Sequence, residues 1–327
     1  HQSNQARLHR MKAQAQMLHT GFALVPGFLT ACFVFGPGIG LNVLVALLTA
    51  LVLELGFYRL QNKPPSSTEI SAGLLAGALL ALCLPPYLPF TYVVLGVSFG
   101  LIFGKYVYGG LGQNLFNPAM VGYAALVVSA PLLMSQWYLD QPLGLSPMDL
   151  LAVKAGILEI DGYSGATALD LLRNRQGMTM AEYWGIAEHR FEPQALISAG
   201  YLLGGLYLLK CNIIRWQLPV AMLIGLLIPA ALLFDGGSSD SFGSPLLHLL
   251  SGATLIGAFF IITDPVSSPN TRNGLILYGL TIGALTFLIR AFGSFPDGLA
   301  FAVLLANALG PLLDLIFSPS NRTRAPV

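Results

Sequence analysis

IGLNVLVALLTALVLELGFY, residues 39–58, runs for twenty residues with Glu54 as its single charged group. As a helix it would extend about 30 Å at 1.5 Å per residue, the thickness of a bilayer's hydrocarbon core. Working outward, segments of the same kind recur at 21–36, 69–84, 88–104, 117–134, 195–209, 217–234, 246–262, 274–291 and 297–316, divided by polar or Pro/Gly-containing breaks. The chain is 55% hydrophobic and 9% charged, far from the roughly 25% charged residues of soluble domains. These observations predict an all-α, polytopic integral membrane protein with about ten transmembrane helices, forming one domain over residues 1–327. Some segments have only 16 or 17 residues, near the lower limit for a span, and are expected to be tilted, re-entrant or broken. The net charge of +1 supplies no basic face for a nucleic-acid backbone, so nucleic acid is not an expected partner. The polar start HQSNQARLHRMK offers no apolar region of a cleaved signal peptide, and insertion is expected to use the first span.

Basic residues set the orientation. On the ten-span reading Arg7, Arg10, Lys12, Arg59, Lys63, Lys105, Lys210, Arg215, Arg272, Arg322 and Arg324 share the side of the N-terminus, whereas Lys154, Arg173, Arg175, Arg190 and Arg290 fall on the other. Both termini are therefore expected in the cytoplasm of a bacterial cell, with the protein in its inner membrane. Acidic residues show the complementary bias, among them Asp149, Asp170, Glu182, Asp235, Asp240 and Asp297 on the outer side. The long loop 135–193 faces outside on this reading, and its length suggests function or structure of its own. Within it, Ala181–His189 fits a short interfacial helix.

A weak internal echo pairs Ser71, Gly77, Ala78 and Pro85 with Ser251, Gly257, Ala258 and Pro265, a constant offset of 180 residues. Five spans per half would give the halves opposite orientations, a candidate inverted repeat of five plus five. Chance likeness between two Gly/Ala-rich helices is the competing explanation.

The outer loop carries Asp161-Gly162-Tyr163-Ser164-Gly165-Ala166-Thr167-Ala168-Leu169-Asp170. Small Gly165 and Ala166 let another protein approach the backbone, and Thr167 presents a hydroxyl that can be esterified if exposed. The same residues also fit a Gly/Ser turn followed by a helix N-cap at Thr167, with Asp170 three residues on as its capping partner.

Asp-Gly-x-Ser-Gly-Ala-Thr resembles the flavinylation motif of the NqrB/RnfD family, membrane subunits of ion-translocating oxidoreductases. Two further stretches resemble that family in the same order: Gly109-Gly110-Leu111-Gly112-Gln113-Asn114-Leu115-Phe116-Asn117-Pro118-Ala119-Met120 and Thr263-Asp264-Pro265-Val266-Ser267-Ser268-Pro269. With the span pattern, the resemblance covers nearly the whole chain. It departs at the N-terminal region, which is short or divergent. The length is closer to the D-type subunits of Rnf complexes than to the longer B-type subunits of sodium-translocating NADH:quinone oxidoreductases.

The resemblance implies that a flavin transferase moves FMN from FAD onto Thr167 as a covalent phosphoester. Asp161, Ser164, Gly165 and Ala166 would form the attachment motif. It further implies a flavoprotein subunit in electron transport between ferredoxin and NAD, coupled to Na+ or H+ transport. Iron–sulfur and flavin subunits are the implied partners, since no complete active site is expected in this chain. A second, noncovalent flavin is an open expectation.

Other groups bound what this chain does alone. The glycine-rich stretch 109–118 contains no GxGxxG and no Gly-Lys-Ser/Thr, so it is not a nucleotide loop. It fits a tight connection between spans, or a site where Asn114 and Asn117 present amides to a flavin or an ion. Cys32, Cys83 and Cys211 are too scattered to hold an iron–sulfur cluster, and the five histidines have no metal-ligand spacing. No metal site is expected. Asp264 and Asp314, near span ends, are either ion contacts or solvated helix ends. Two rival functions remain at this point: a B-type quinone-reductase subunit, and a cofactor-free inverted-repeat transporter.

Overall fold

The opening apolar stretch becomes helix because nothing within it breaks the backbone and its two ends are marked. In the computed structural model, which describes residues 2–139, 145–160, 164–175, 177–295 and 297–318, side-chain surroundings are given from residue 12 onward except at Leu139 and Ser164. The chain begins with α1 (Gln2–Ala23) and α2 (Val25–Phe35) and continues into α3 (Pro37–Gln61). Pro37 starts α3, where its missing N–H costs nothing, and Asn62 stops it in the left-handed region at φ 52°. Next come α4 (Ser67–Leu82), α5 (Phe90–Gly104), α6 (Pro118–Ser129), α7 (Pro131–Met134), the two-residue strand β1 (Tyr138–Leu139) and α8 (Pro147–Lys154). After the two-residue strand β2 (Ser164–Gly165) lie α9 (Ala168–Arg173), α10 (Met180–Lys210), α11 (Gln217–Leu232), α12 (Pro245–Leu250), α13 (Thr254–Ile256), α14 (Arg272–Phe292) and α15 (Leu299–Phe317).

Among the described residues five segments are long and apolar enough to cross a membrane: Lys12–Phe35, Pro37–Gln61, Phe90–Tyr108, Arg272–Phe292 and Leu299–Phe317. Ser67–Leu82, Pro118–Ser129 and Gln217–Leu232 are apolar but shorter. The all-helical, multi-pass character expected from composition is thus present, with a less even division than ten like spans. One segment differs from expectation, and one of the short segments is broken, as its length of 17 residues had suggested. Ala181–His189 is no separate interfacial helix; it opens the 31-residue α10, which continues through Pro193. Residues 246–262 are interrupted: α12 ends at Leu250, a turn follows, and Gly257–Ile261 is wound as a π-helix.

The chain divides into two compact units. One comprises residues 1–114, 118–166 and 203–213, the other 115–117, 167–202 and 214–327. In the first, α3 packs on α4 and α5, and α5 on α6. Its interior holds an ion pair between Glu54 and Lys105, 2.6 Å apart and at most 3% exposed. Lys105 also donates to Glu69 O at 3.0 Å. β1 and β2 pair antiparallel, Tyr138 opposite Gly165. In the second unit α14 lies against α11 so closely that a Cβ on Gly283 would fall 2.0 Å from Met222 O, and one on Gly225 2.4 Å from Leu280 O. Small residues at such crossings let helix backbones meet where no hydrophobic force drives helices together in lipid.

Three residues counted as loop cations in the orientation argument, Lys105, Lys154 and Arg290, are buried. Each finds oxygen partners inside its unit. Setting them aside leaves the charge bias pointing the same way.

Candidate functional site

Thr167 adopts extended backbone and caps α9. Its Oγ1 accepts from Asp170 N–H at 3.2 Å and donates to Asp170 Oδ2 at 2.7 Å, while its own N–H donates to the same Oδ2 at 3.0 Å. This reciprocal box satisfies orphan donors at the helix start. The cap alternative raised by the sequence is therefore the local geometry, and it leaves the Thr167 side chain half-buried rather than enclosed. Asp170 is buried beneath it, and burial pushes its carboxyl above the usual range, opposed by the hydrogen bonds from Thr167.

Short as it is, α9 is held in place. Tyr183 at the start of α10 donates its hydroxyl to Ala168 O at 2.8 Å. Ala168, Met180, Tyr183, Ala187 and Leu247 form a core cluster, with Leu171, Leu172, Trp184 and Phe191 packed on it. Arg175 donates to Ser239 O at 2.5 Å. The C-terminal part of the 135–193 stretch is thus a packed element rather than a free connection.

Of the other motif residues, Gly165 is buried and paired in β2 with Tyr138, and Ala166 is half-buried. Ser164 pairs through its backbone with Leu139. Asp161 lies outside the described residues.

Thr167 can hold a phosphoester-linked group. Its hydroxyl is half-buried, and its capping partner Asp170 lies beside it as a proton acceptor. Attachment would remove the O–H donor and place negative charge beside Asp170, so the Oγ1 contact would have to be given up. The Thr167 N–H could stay on Oδ2.

The other two motifs meet in the second unit. Asn117, buried, donates Nδ2–H to Ile261 O at 3.2 Å, and its N–H donates to Asn307 Oδ1 at 2.9 Å. Asn307, wholly buried in α15, donates to Tyr278 OH at 2.6 Å and to Ser267 O at 3.4 Å. Asp264 accepts from Val266 N–H at 3.1 Å and from Ser267 Oγ at 3.0 Å, fixing the Thr263–Pro269 turn. Asn117 and the Asp264 turn are therefore linked through Asn307, which sequence reading missed. A polar amide in the middle of a helix whose only other polar side chain is Asp314 was the available signal. Asn114 is buried in the first unit. Asp314 accepts from Asn270 N–H at 2.8 Å in exposed surroundings, the solvated-end alternative.

A half-buried threonine hydroxyl in a helix cap and a buried amide cluster among apolar helices stand in a chain with several segments long and apolar enough to cross a membrane. Among the described residues no group of three His, Cys, Asp or Glu could hold a metal ion. Residues 3–323 match the family described as NQR2, RnfD, RnfE, and the chain belongs to that family. It is 43% identical over 317 residues to the D subunit of the ion-translocating oxidoreductase complex of Cellvibrio japonicus, covering 93% of this chain and 89% of that protein. Proteins of the same name from Pseudomonas aeruginosa strain LESB58 (43% over 303 residues, 91% and 88% covered) and Vibrio cholerae strain O395 (41% over 321 residues, 90% of each) are similarly close.

Proposed function

We propose that this chain is the D-type membrane subunit of an Rnf-type ion-translocating ferredoxin:NAD oxidoreductase. In this reading it holds FMN on Thr167 as a phosphoester and takes part in electron transfer across the inner membrane, coupled to Na+ or H+ movement. The carrying observation is Thr167 itself: its hydroxyl closes the Ser164–Thr167 motif, remains half-buried, and has Asp170 at 2.7 Å to accept its proton. A flavin held there supplies one- and two-electron chemistry. The chain's own contribution is to fix the attachment oxygen through the α9 core and to hold the Asn117–Asn307–Tyr278 amide network in the helical wall. Partner subunits would supply the iron–sulfur relay and the NAD site, and a flavin transferase would load Thr167. The D-type names of its relatives, at 41–43% identity, support this reading.

The test is flavin fluorescence of the denatured chain on a gel, after co-expression with the transferase. Wild type and Ser164→Ala should fluoresce, and Thr167→Ala should be dark while remaining inserted. A peptide spanning Asp161–Arg173 without added FMN mass, in protein from a competent host, would overturn the assignment.

A further inference from the structure

Helix α8 ends on Lys154, whose side chain is wholly buried, yet among the described residues no carboxylate pairs with it. Its Nζ donates instead to Asn42 Oδ1, to Leu88 O at 2.5 Å and to Pro86 O at 3.2 Å, and lies 5.2 Å from the centre of the Phe90 ring. Three N–H donors thus meet three neutral oxygens beside an aromatic face. A neutral amine has only two N–H bonds and would turn its lone pair toward the third oxygen, so this arrangement selects the charged form. Burial acts the other way and alone would draw the group down to about 7.

The oxygens are held independently of the lysine. Asn42, in α3, donates Nδ2–H to Pro85 O at 2.9 Å, which fixes where its Oδ1 points. Pro86 and Leu88 lie in the unwound segment between α4 and α5, where Pro85, Pro86 and Pro89 have no N–H to offer neighbouring carbonyls. A Cβ on Gly38 would come within 2.4 Å of Pro86 O, so α3 lies hard against this segment. α4 ends at Leu82, just upstream, and brings the negative end of its dipole. Unwound backbone carbonyls beside the C-terminal end of a helix are one way in which membrane proteins bind monovalent cations.

We propose that Asn42, Pro86, Leu88 and Phe90 form a monovalent-cation site whose resident occupant is the tethered ammonium of Lys154, so that trimming this side chain opens the site to a free small cation. The role is separate from flavin attachment and stands or falls independently of it.

The experiment heats the assembled complex in detergent and follows how much of this chain stays soluble, at constant ionic strength in N-methylglucamine, sodium, potassium or n-propylammonium chloride. Wild type should not distinguish the salts. Lys154→Ala should melt lower and recover selectively, by about 3 °C at ten times the dissociation constant, in propylammonium or an alkali cation. The effective salt tells whether the vacated site takes an alkylammonium or a bare ion. Lys154→Met, which fills the volume without charge, and Asn42→Leu/Lys154→Ala, which lacks a ligand, should not respond. Indifference of Lys154→Ala to every cation, or an equal rise in either control, overturns the proposal. Should Lys154→Ala not assemble, acylation of wild type by a water-soluble ester at pH 8 decides. Lys154 should stay unmodified while Lys63 reacts, and Asn42→Leu should expose Lys154; no gain of reactivity in Asn42→Leu overturns the proposal.

Discussion

The hydroxyl of Thr167 is a helix cap and, in the proposed function, an attachment oxygen, and the two roles compete for one proton. Before loading, that proton lies on the Asp170 contact at 2.7 Å. Replacing Asp170 by Ala removes both the acceptor and half of the capping box. Lost caps cost about 1 kcal/mol, enough to loosen a six-residue helix. Flavin fluorescence per chain is therefore expected to fall several-fold in Asp170→Ala. Asp170→Asn keeps an oxygen for the Thr167 N–H and should retain more. Equal loading of all three proteins would show that Asp170 has no part in attachment. Asn307 offers a second test, because Leu in its place leaves the Asn117 N–H and the Tyr278 hydroxyl without the oxygen and nitrogen they now meet. A buried polar group stripped of its partner costs about 1–3 kcal/mol, so Asn307→Leu should lower the midpoint of thermal loss of the chain by several degrees, and an unchanged midpoint would show the amide cluster to be unimportant for stability. The two residues were unequally legible in sequence. Thr-x-x-Asp before an apolar run is a local signal, complete within four residues. Asn307 has no spacing to betray it, since its partner Asn117 lies 190 residues away and only folding joins them.

At the scale of elements, the segment 245–261 departs most from a regular span. α12 ends at Leu250, and Arg290 of α14 reaches across to its freed carbonyls, donating to His248 O at 2.9 Å and Ser251 O at 3.4 Å. The same guanidinium meets Thr254 Oγ1 and Asp297 Oδ1, each at 3.0 Å. Asp297 in turn accepts from Ala253 N–H at 2.7 Å. One buried arginine, with Thr254 Oγ1 donating to the same carbonyls at 2.7 and 3.1 Å, therefore replaces the backbone partners that a continuous helix would have provided. Arg290→Met should leave these carbonyls to Thr254 Oγ1 and leave Asp297 with backbone N–H donors but no counter-charge. Breaking one side of a buried pair costs about 3–5 kcal/mol, partly relieved here by the 17% exposure of Asp297. The expected result is a large fall in the heat resistance of the chain, with partial recovery in Arg290→Met/Asp297→Asn; a fall of a degree or less would mean that the break is held by packing. The short length of 246–262 suggested a broken segment, but hydropathy could not place the break, because the guanidinium that holds it comes from another helix. The repeat echo is affected too. Ser71 lies within the continuous α4, whereas its counterpart Ser251 lies in the break, and only Pro85 and Pro265 share a place just past a helical end.

At the scale of the whole molecule, composition alone was enough to reveal a helical membrane protein, and loop charge carries the further expectation of which side is which. The proposed function depends on that expectation, since a flavin on Thr167 serves a transmembrane electron path only if its loop faces away from the cytoplasm. Native Cys211 provides a reporter for the side expected to be inner, being exposed just after α10 in a loop with Lys210 and Arg215. Asp240, exposed in the 233–244 connection, provides a position on the side expected to be outer. In intact cells an impermeant maleimide should label Asp240→Cys in a Cys211→Ser background and should leave Cys211 of the wild type untouched. Inverted vesicles should reverse the pattern, and permeabilised cells should label both, which excludes burial as the reason for silence. Because the basic bias persists after the buried Lys105, Lys154 and Arg290 are set aside, the outer assignment of Asp240 does not rest on miscounted loop charges. Labelling of Cys211 but not of Asp240→Cys in intact cells would invert the topology, place the Thr167 loop in the cytoplasm, and remove the need for electrons to cross the bilayer to reach it.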